Sequence, residues 1–189
     1  MMFNLGMIKR IIGLLLFILL SPLFLIVSLI IYIDDGFPVL YRQKRIGINN
    51  SIFEVFKFRT MKKNIPDIPT HLVGDPQQFY TRSGPFLRKL SIDELPQLIN
   101  IIKGDMVFVG PRPALYNQDD LVELRTRVGV QKLMPGLTGW AQVNGRDKLS
   151  IAVKVQFDEY YLKNRSWLLD LKIVFLTLLR VFGMKGVSH

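Results

Sequence analysis

The chain has 189 residues, a formal net charge of +10 at pH 7 and no cysteine. This length supports one domain with a sizeable core but not two ordinary domains. The lack of cysteine excludes disulfides and thiolate metal sites, and agrees with a cytoplasmic location. A basic excess that is spread along the whole chain suits an anionic partner: nucleic acid, an anionic membrane surface or a phosphorylated substrate.

The N-terminal segment is apolar enough to enter a membrane. Residues 11–33 carry no side chain that is charged at neutral pH. As a helix that rises about 1.5 Å per residue, this segment is long enough to cross a hydrocarbon core about 30 Å thick. Ser21 and Pro22 interrupt this run, and proline bends a helix because it lacks an N–H group and clashes with the preceding turn. Basic residues flank both ends, so the positive-inside rule puts both ends on the cytoplasmic side. The sequence therefore favours a re-entrant helix over residues 1–36, with a single spanning helix as the alternative.

The rest of the chain, residues 37–189, predicts a helix-rich α/β unit, compact and continuous, on the cytoplasmic membrane face. Period-2 stretches around turn residues indicate a β-hairpin, period-3.6 stretches indicate helices, and runs of proline and glycine indicate loops. The predicted elements, in chain order, are a hairpin (39–45 and 52–59), a connector loop (61–83) with a short helix near 75–80, a helix (93–103), a strand (106–109), a helix (117–130), a glycine-rich loop (134–146) and a helix (151–163).

A last apolar helix is predicted over residues 167–184. At about 100° per residue, Asp170, Thr177 and Arg180 fall on one side and leave a wide apolar face. Two interpretations stay open. The helix belongs to the core of a soluble domain, or it lies in the membrane interface as an amphipathic helix, since a tryptophan and basic residues frame it.

Asp93 and Glu94 are the first candidates for chemistry. They are predicted to begin their helix because Pro96 is tolerated only in a first turn, and Ser91 and Glu94 also fit a capping box. The free N–H groups and the dipole of a helix start favour an ionised carboxylate and an anionic ligand, and Arg88 adds positive charge. A carboxylate placed there can bind Mg²⁺ or attack phosphorus to form an acyl phosphate. The alternative is that the two acids only cap a helix.

Two further segments suit a phosphate or a nucleotide. The turn Gly110-Pro111-Arg112-Pro113 is stiff and presents one arginine. Its guanidinium group can make bidentate hydrogen bonds to a phosphate or stack on a base. In residues 135–146, three glycines allow the backbone to approach a ligand closely, and Gln142, Asn144 and Arg146 offer amide and guanidinium groups.

Lys57 and Arg59 alternate with phenylalanines on the second strand of the predicted hairpin. They therefore share one polar face of that strand and are candidates for phosphate binding. For these two residues and for Arg112, the alternative is an ordinary solvated side chain.

In combination, these motifs resemble the bacterial sugar transferases, which are small monotopic polyprenyl-phosphate phosphoglycosyl transferases. The resemblance covers nearly the whole chain, and several long motifs occur in the right order. Those motifs are Ser21-Pro22, FKFRTM at 56–61, FLRKLSIDELPQL at 86–98, KGDM at 103–106, GPRP at 110–113, PGLTGWAQVNGR at 135–146 and FDEYY at 157–161.

The resemblance implies the transfer of a phosphosugar from a nucleotide diphosphate sugar, usually a UDP-sugar, to polyprenyl phosphate in glycan assembly. It implies that Asp93 attacks the β-phosphate and releases UMP, that Glu94 assists, and that Mg²⁺ is the cofactor, with Asp93 a ligand. It also implies a helix that turns within one leaflet of the bacterial inner membrane, with interfacial amphipathic helices on the cytoplasmic body. The residues that match polar positions of the family site are Lys57, Arg88, Arg112, Asp158 and, in its nucleotide-side loop, Gln142, Asn144 and Arg146.

Two other functions stay open on the sequence. A lipid-directed glycosyl transferase without a covalent intermediate would release UDP rather than UMP. A non-enzymatic, membrane-anchored binding protein would explain the charge and the anchor but would leave Asp93 and Glu94 without a role. No nucleic-acid motif supports a nucleic-acid partner. The sugar, the polyprenyl length, the pathway, the role of residues 62–81 and the oligomeric state, including a homodimer, are not readable from the sequence.

Overall fold

The structure, a computed structural model, describes residues 2–63, 76–145 and 148–183. Its helices and strands confirm a helix-rich α/β fold. In chain order they are α1 (Met2–Leu19), α2 (Ser21–Asp35), β1 (Leu40–Ile46), a 3₁₀ turn (Ile48–Asn50), β2 (Ile52–Phe58), a 3₁₀ turn (Pro76–Phe79), α3 (Gly84–Lys89), a 3₁₀ helix (Ile92–Gln97), α4 (Leu98–Lys103), β3 (Val107–Val109), α5 (Asp119–Arg127), a 3₁₀ turn (Val130–Lys132), β4 (Gly136–Thr138), α6 (Trp140–Val143), α7 (Ile151–Asn164) and α8 (Trp167–Phe182).

The predicted bend near Ser21 and Pro22 is confirmed. The break falls at Leu20, and Pro22 lies in the first turn of α2. An unbroken helix would need a Pro22 N–H group to bind the Ile18 carbonyl, and the Ser21 hydroxyl donates to that carbonyl instead, at 2.7 Å. Within the described ranges, no single helix is long and apolar enough to cross a membrane. The part of α1 from Gly6 onward and α2 are long and apolar enough when taken together, but their axes are bent by 59°.

The described residues divide into two compact units. Within the described ranges, the first unit includes residues 2–43 and 55–102, and the second includes residues 44–54 and 103–183. The predicted hairpin is present, with β1 and β2 in one two-stranded sheet. The tip turns through the left-handed residues Asn49 and Asn50, a conformation that asparagine tolerates better than most residues.

The core of the first unit joins α2 to β2 and α3. Its buried side chains are Val27, Ile31, Phe58 and Leu87. The end of α2 is tied to the start of α3, because one Asp34 carboxylate oxygen accepts hydrogen bonds from both the N–H and the hydroxyl of Ser83, each at 2.8 Å. At the other arm of the bent pair, a Cβ on Gly13 would lie 3.2 Å from a methyl carbon of Ile101 in α4.

The helix predicted over 93–103 is helical but has two parts. A 3₁₀ helix, Ile92–Gln97, precedes α4, because the Pro96 ring would clash with the carbonyl four residues earlier in an α-helix. The predicted capping box is wrong: Ser91 has φ 55° and its hydroxyl makes no capping hydrogen bond within the described part of the chain. This left-handed serine instead lets α3 end and the 3₁₀ helix begin with only two residues between them.

The predicted loop over 134–146 is wrong as well. It contains β4, which pairs in parallel with β3 through Val107 opposite Gly136, and the single-turn helix α6. A Cβ on Gly136 would lie 2.1 Å from the Gly110 nitrogen, and a Cβ on Gly139 would lie 2.1 Å from the Gly110 carbonyl oxygen. These glycines therefore let two backbone segments meet, and the approach of this segment to a ligand stays a prediction.

The second unit has two clusters of buried side chains, one around α8 and β3 and one between α5 and α7. On α8, Ile173 is buried, Asp170 accepts a 2.7 Å hydrogen bond from Tyr161, and Thr177 lies 2.7 Å from the Thr138 hydroxyl. Both polar residues thus contact their own unit, whereas Lys172 and Arg180 are exposed among the apolar side chains of this helix. Its exposed large side chains are Trp167, Leu168, Leu171, Phe175, Leu178 and Leu179, which favours the interfacial interpretation of this helix.

Candidate active site

Asp93 and Glu94 lie in the first turn of the 3₁₀ helix and are nearly buried, at 5% and 7% exposure. Lys57 on β2 reaches Glu94, with 3.0 Å between its Nζ and Glu94 Oε1. Two candidates that are 37 positions apart in the sequence therefore form one ion pair. The ammonium group offsets part of the negative charge that two neighbouring carboxylates concentrate at this turn.

The partner that aligns β2 with the acidic turn is Asn100. Its side-chain oxygen accepts a hydrogen bond of 3.1 Å from the backbone N–H of Phe56, next to Lys57. Asn100 is fully buried in α4, and a buried amide contributes only when it is hydrogen-bonded. The sequence analysis missed this residue, although an asparagine inside the apolar run 98–102 was a readable signal.

Arg59 directly follows β2, and its side chain binds the C-terminal end of α2. Its Nη2 donates to the carbonyls of Asp35 and Gly36, both at 2.8 Å, and lies 2.9 Å from an Asp35 carboxylate oxygen. These contacts cap the C-terminal end of the helix, where a cation is favourable. The buried Nε and Nη1 atoms of Arg59 have no hydrogen-bond acceptor among the described residues, so its phosphate-binding role stays a prediction.

Arg88 lies in the last turn of α3, close in sequence to the acidic pair. Its guanidinium carbon lies 5.0 Å from the centre of the Tyr80 ring, which is the distance of a cation–π contact. The aromatic face restrains the half-buried arginine within the first unit.

In the second unit, Arg112 projects from a turn whose backbone is firmly held. The Arg112 carbonyl accepts a 2.8 Å hydrogen bond from Arg125 Nη1. Arg112 and Arg125 also line one small surface cleft together with Pro111, Pro113 and Gln131. Arg125 was not a sequence candidate, because its position on a charged helix looked like that of a solvated residue.

Asp158 is the buried partner of Arg125. Both Nε and Nη2 of Arg125 donate to one Asp158 oxygen, at 3.0 and 2.6 Å, and Asp158 is 1% exposed. Burial raises the pKa of Asp158, and the positive charge of Arg125 opposes that shift. In this interior position Asp158 contacts Arg125, and its predicted role in substrate binding stays a prediction.

The amides of the predicted nucleotide-side loop bind their own segment. Gln142 donates to the Leu137 carbonyl at 3.0 Å, and the exposed Asn144 donates to the Trp140 carbonyl at 2.7 Å. These bonds close α6 and the turn that follows it. Arg146, the third candidate of this loop, lies outside the described residues.

The residues present suit a metal site in which the protein supplies one carboxylate ligand and water and substrate supply the others. Within the described ranges, no three histidine, aspartate or glutamate side chains are grouped to hold a metal ion. Mg²⁺ commonly binds one or two carboxylates and takes its other ligands from water and substrate phosphates. A single ligand from Asp93 fits that pattern, and the predicted cofactor stays a prediction.

Comparisons with known proteins agree with these motifs. The sequence profile described as "Bacterial sugar transferase" matches residues 5–184. The sugar transferase EpsL of Bacillus subtilis, described as uncharacterized, is 40% identical over 171 residues, which cover 89% of this chain and 82% of that protein. The exopolysaccharide production protein ExoY of Sinorhizobium fredii is 40% identical over 192 residues, covering 93% of this chain and 84% of that protein.

A longer relative has a more specific description. The UDP-glucose:undecaprenyl-phosphate glucose-1-phosphate transferase of Escherichia coli K12 is 37% identical over 181 residues. The match covers 91% of this chain but only 39% of that protein. The similarity therefore extends along nearly all of this chain and to one part of the longer enzyme.

Proposed function

Because the chain belongs to the bacterial sugar transferase family and is a phosphoglycosyl transferase, we propose that it transfers a phosphosugar from a nucleotide diphosphate sugar to polyprenyl phosphate. Relatives from Escherichia coli and Aeromonas hydrophila are named as transferases that join a sugar phosphate from a UDP-sugar to undecaprenyl phosphate. The same pair of substrates, a UDP-sugar and a polyprenyl phosphate, is proposed for this chain. The product would begin the assembly of a polysaccharide.

The observation that carries the proposed mechanism is the buried acidic pair with Lys57 bound to Glu94 at 3.0 Å. The ammonium group of Lys57 holds Glu94 in place next to Asp93. Asp93 is then the nucleophile, and Glu94 with Lys57 supports it from the adjacent position. A carboxylate nucleophile divides one difficult transfer into two displacements at the same phosphorus.

In the first displacement, an Asp93 oxygen attacks the β-phosphorus of the nucleotide sugar. The bond from that phosphorus to the bridging oxygen breaks, and the electron pair leaves with UMP. In the second, a polyprenyl phosphate oxygen attacks the aspartyl phosphosugar. The acyl phosphate bond breaks, Asp93 returns as a carboxylate, and polyprenyl diphosphate sugar is released. Arg88 and Arg112 are the proposed phosphate ligands. Asp93 would hold the Mg²⁺ ion, which would supply positive charge to offset that of the phosphates.

The location proposed for this reaction is the cytoplasmic face of the bacterial inner membrane. A water-soluble nucleotide sugar and a lipid phosphate meet only at a membrane–water boundary. The bent pair α1–α2 exposes large apolar side chains along both arms, among them Leu15, Ile18, Leu25 and Ile33. Burial of such a surface in one leaflet, with both ends on the same side, is the re-entrant arrangement that the bend allows.

Single-turnover analysis tests the mechanism. The enzyme is mixed with a UDP-sugar and Mg²⁺ without the lipid, and the products are read by chromatography and intact mass. We expect UMP in an amount close to that of the enzyme, and a phosphosugar adduct on Asp93. Asp93→Asn should abolish both, whereas Asp119→Asn, the same change at an exposed site on α5, should leave both intact.

Two results would overturn this mechanism. Release of UDP would show that the sugar moves without its phosphate, as in a lipid-directed glycosyl transferase. An adduct that still forms in Asp93→Asn would place the nucleophile elsewhere. For the membrane arrangement, labelling that finds the N-terminus and the catalytic residues on opposite faces would exclude the re-entrant helix.

A further inference from the structure

The turn that carries Arg112 is held at four successive carbonyl groups. The backbone N–H of Gly136 donates to the Pro111 carbonyl at 2.9 Å, and that of Ile46 donates to the Ala114 carbonyl at 2.9 Å. The two central carbonyls, those of Arg112 and Pro113, accept instead from arginine side chains. Proline offers no N–H group, so the two prolines of this turn limit the hydrogen bonds it can make within itself.

The two arginines reach the turn from different elements of the second unit. Arg125 on α5 donates its Nη1 to the Arg112 carbonyl at 2.8 Å, while Asp158 holds its other two nitrogens. Arg45, near the end of β1, donates its Nη1 to the Pro113 carbonyl at 3.1 Å and pairs its backbone with Leu115. Each guanidinium group thus binds a main-chain carbonyl of the turn that carries Arg112.

We infer that Arg45 and Arg125 are positioning residues that fix the Arg112 side chain for one phosphate group of the nucleotide sugar. This inference rests on the proposed function, in which Arg112 binds that phosphate. An arginine on a turn that is already fixed loses less conformational freedom on binding, and therefore binds a phosphate more tightly. Asp158 holds two nitrogens of Arg125, so Arg125 acts on the turn through its third nitrogen, which binds the Arg112 carbonyl.

A positioning role for Arg45 and Arg125 differs from general stabilisation of the fold because it depends on the presence of Arg112. If Arg45 acts only through Arg112, removal of Arg45 matters while Arg112 is present and matters little once it is gone. A double-mutant cycle measures that dependence. A residue that merely stabilises the fold would lower activity to the same extent in both backgrounds.

The experiment measures kcat and KM for the UDP-sugar in the full-length enzyme, with Arg45→Ala, Arg112→Ala and the double variant. Phosphate contacts made by a positioned arginine are charge-assisted, so we expect Arg45→Ala to lower kcat/KM about tenfold when Arg112 is present. In the Arg112→Ala background, the same change should lower kcat/KM less than about twofold. Lys44→Ala, the neighbouring exposed cation, is the control and should change kcat/KM less than about twofold.

Arg125 gives an independent arm. Arg125→Lys keeps a cation opposite Asp158 but lacks the guanidinium group that binds Asp158 and the Arg112 carbonyl at once. A loss of activity in this variant that disappears in the Arg112→Ala background supports the inference. Equal losses in both backgrounds, for either arginine, overturn it. If Arg112→Ala itself leaves kcat/KM unchanged, the proposed phosphate contact of Arg112 has failed, which is a different result.

Discussion

Removal of the Asp158 carboxylate should be among the most destabilising single changes in the second unit. Asp158 is 1% exposed and holds two nitrogens of Arg125, a side chain that is itself buried. Asp158→Ala leaves a guanidinium charge in the interior with one of its partners gone. Breaking a buried ion pair in this way costs about 3–5 kcal/mol, which for a protein of this size lowers the Tm by roughly 2–4 °C per kcal/mol.

The chain offers a matched control in the exposed pair Glu123 and Arg127, whose side chains are 65% and 67% exposed. Glu123→Ala breaks an i,i+4 ion pair with the same donor type, and should cost only about 0.3–0.5 kcal/mol. Thermal unfolding of the detergent-solubilised protein measures both variants. A second test replaces the buried pair by Arg125→Met with Asp158→Leu, which should recover most of the lost stability because no charge is then buried.

Two outcomes would refute this reasoning. A shift for Asp158→Ala no larger than that of Glu123→Ala would show that the interior pair contributes little. A double variant as unstable as Asp158→Ala would show that the loss comes from packing and not from an unpaired charge. If the double variant is stable but inactive, stability and the positioning of Arg112 are separated.

Three further changes test other parts of the structure. Gly139→Ala would place a Cβ 2.1 Å from a backbone carbonyl oxygen, so it should cost about 3 kcal/mol or more in denaturant unfolding. Gly6→Ala, with open space around it, should instead be neutral or stabilising, and equal effects would contradict the packing argument. Asp34→Ala removes the acceptor of two 2.8 Å hydrogen bonds from the start of α3, and should lower the free energy of unfolding by about 1–3 kcal/mol; an unchanged value would show that this tie is not formed in solution. Lys57→Met leaves Glu94 without a cation at 3.0 Å, and should slow adduct formation about tenfold or more in rapid-quench measurements. A normal rate would remove Lys57 from the mechanism.

The sequence predicted the elements that local signals determine. Period-2 and period-3.6 patterns were sufficient for the hairpin, for β3 and for the long helices, with boundaries that moved by a few residues. Pro22 predicted the break between α1 and α2 because a missing N–H group is a local property. The pairing of Lys57 with Glu94 was not predicted, because it depends on how β2 meets a turn 37 positions away.

The contacts that the sequence did not show have a common physical origin. Gly136 and Gly139 were considered only for contact with a ligand, since a glycine's conformational freedom is visible in sequence but its neighbour is not. That neighbour is the backbone at Gly110. Arg125 was overlooked for the same reason: a helix with acids in its first turn and bases in its last looks solvated, and only the fold places this arginine against Asp158.

The buried contacts also change how the net charge of +10 relates to phosphate binding. Several basic side chains are paired inside their own unit: Lys57 with Glu94, Arg59 with Asp35, and Arg125 with Asp158. Such a pair has little net field at a distance, because its two charges cancel beyond their separation. Attraction of an anionic substrate then depends on cations at the surface rather than on the total charge. Neutralising an exposed residue such as Lys132 should therefore weaken salt-dependent association while leaving the chemical step unchanged, and neutralising Lys57 should do the reverse.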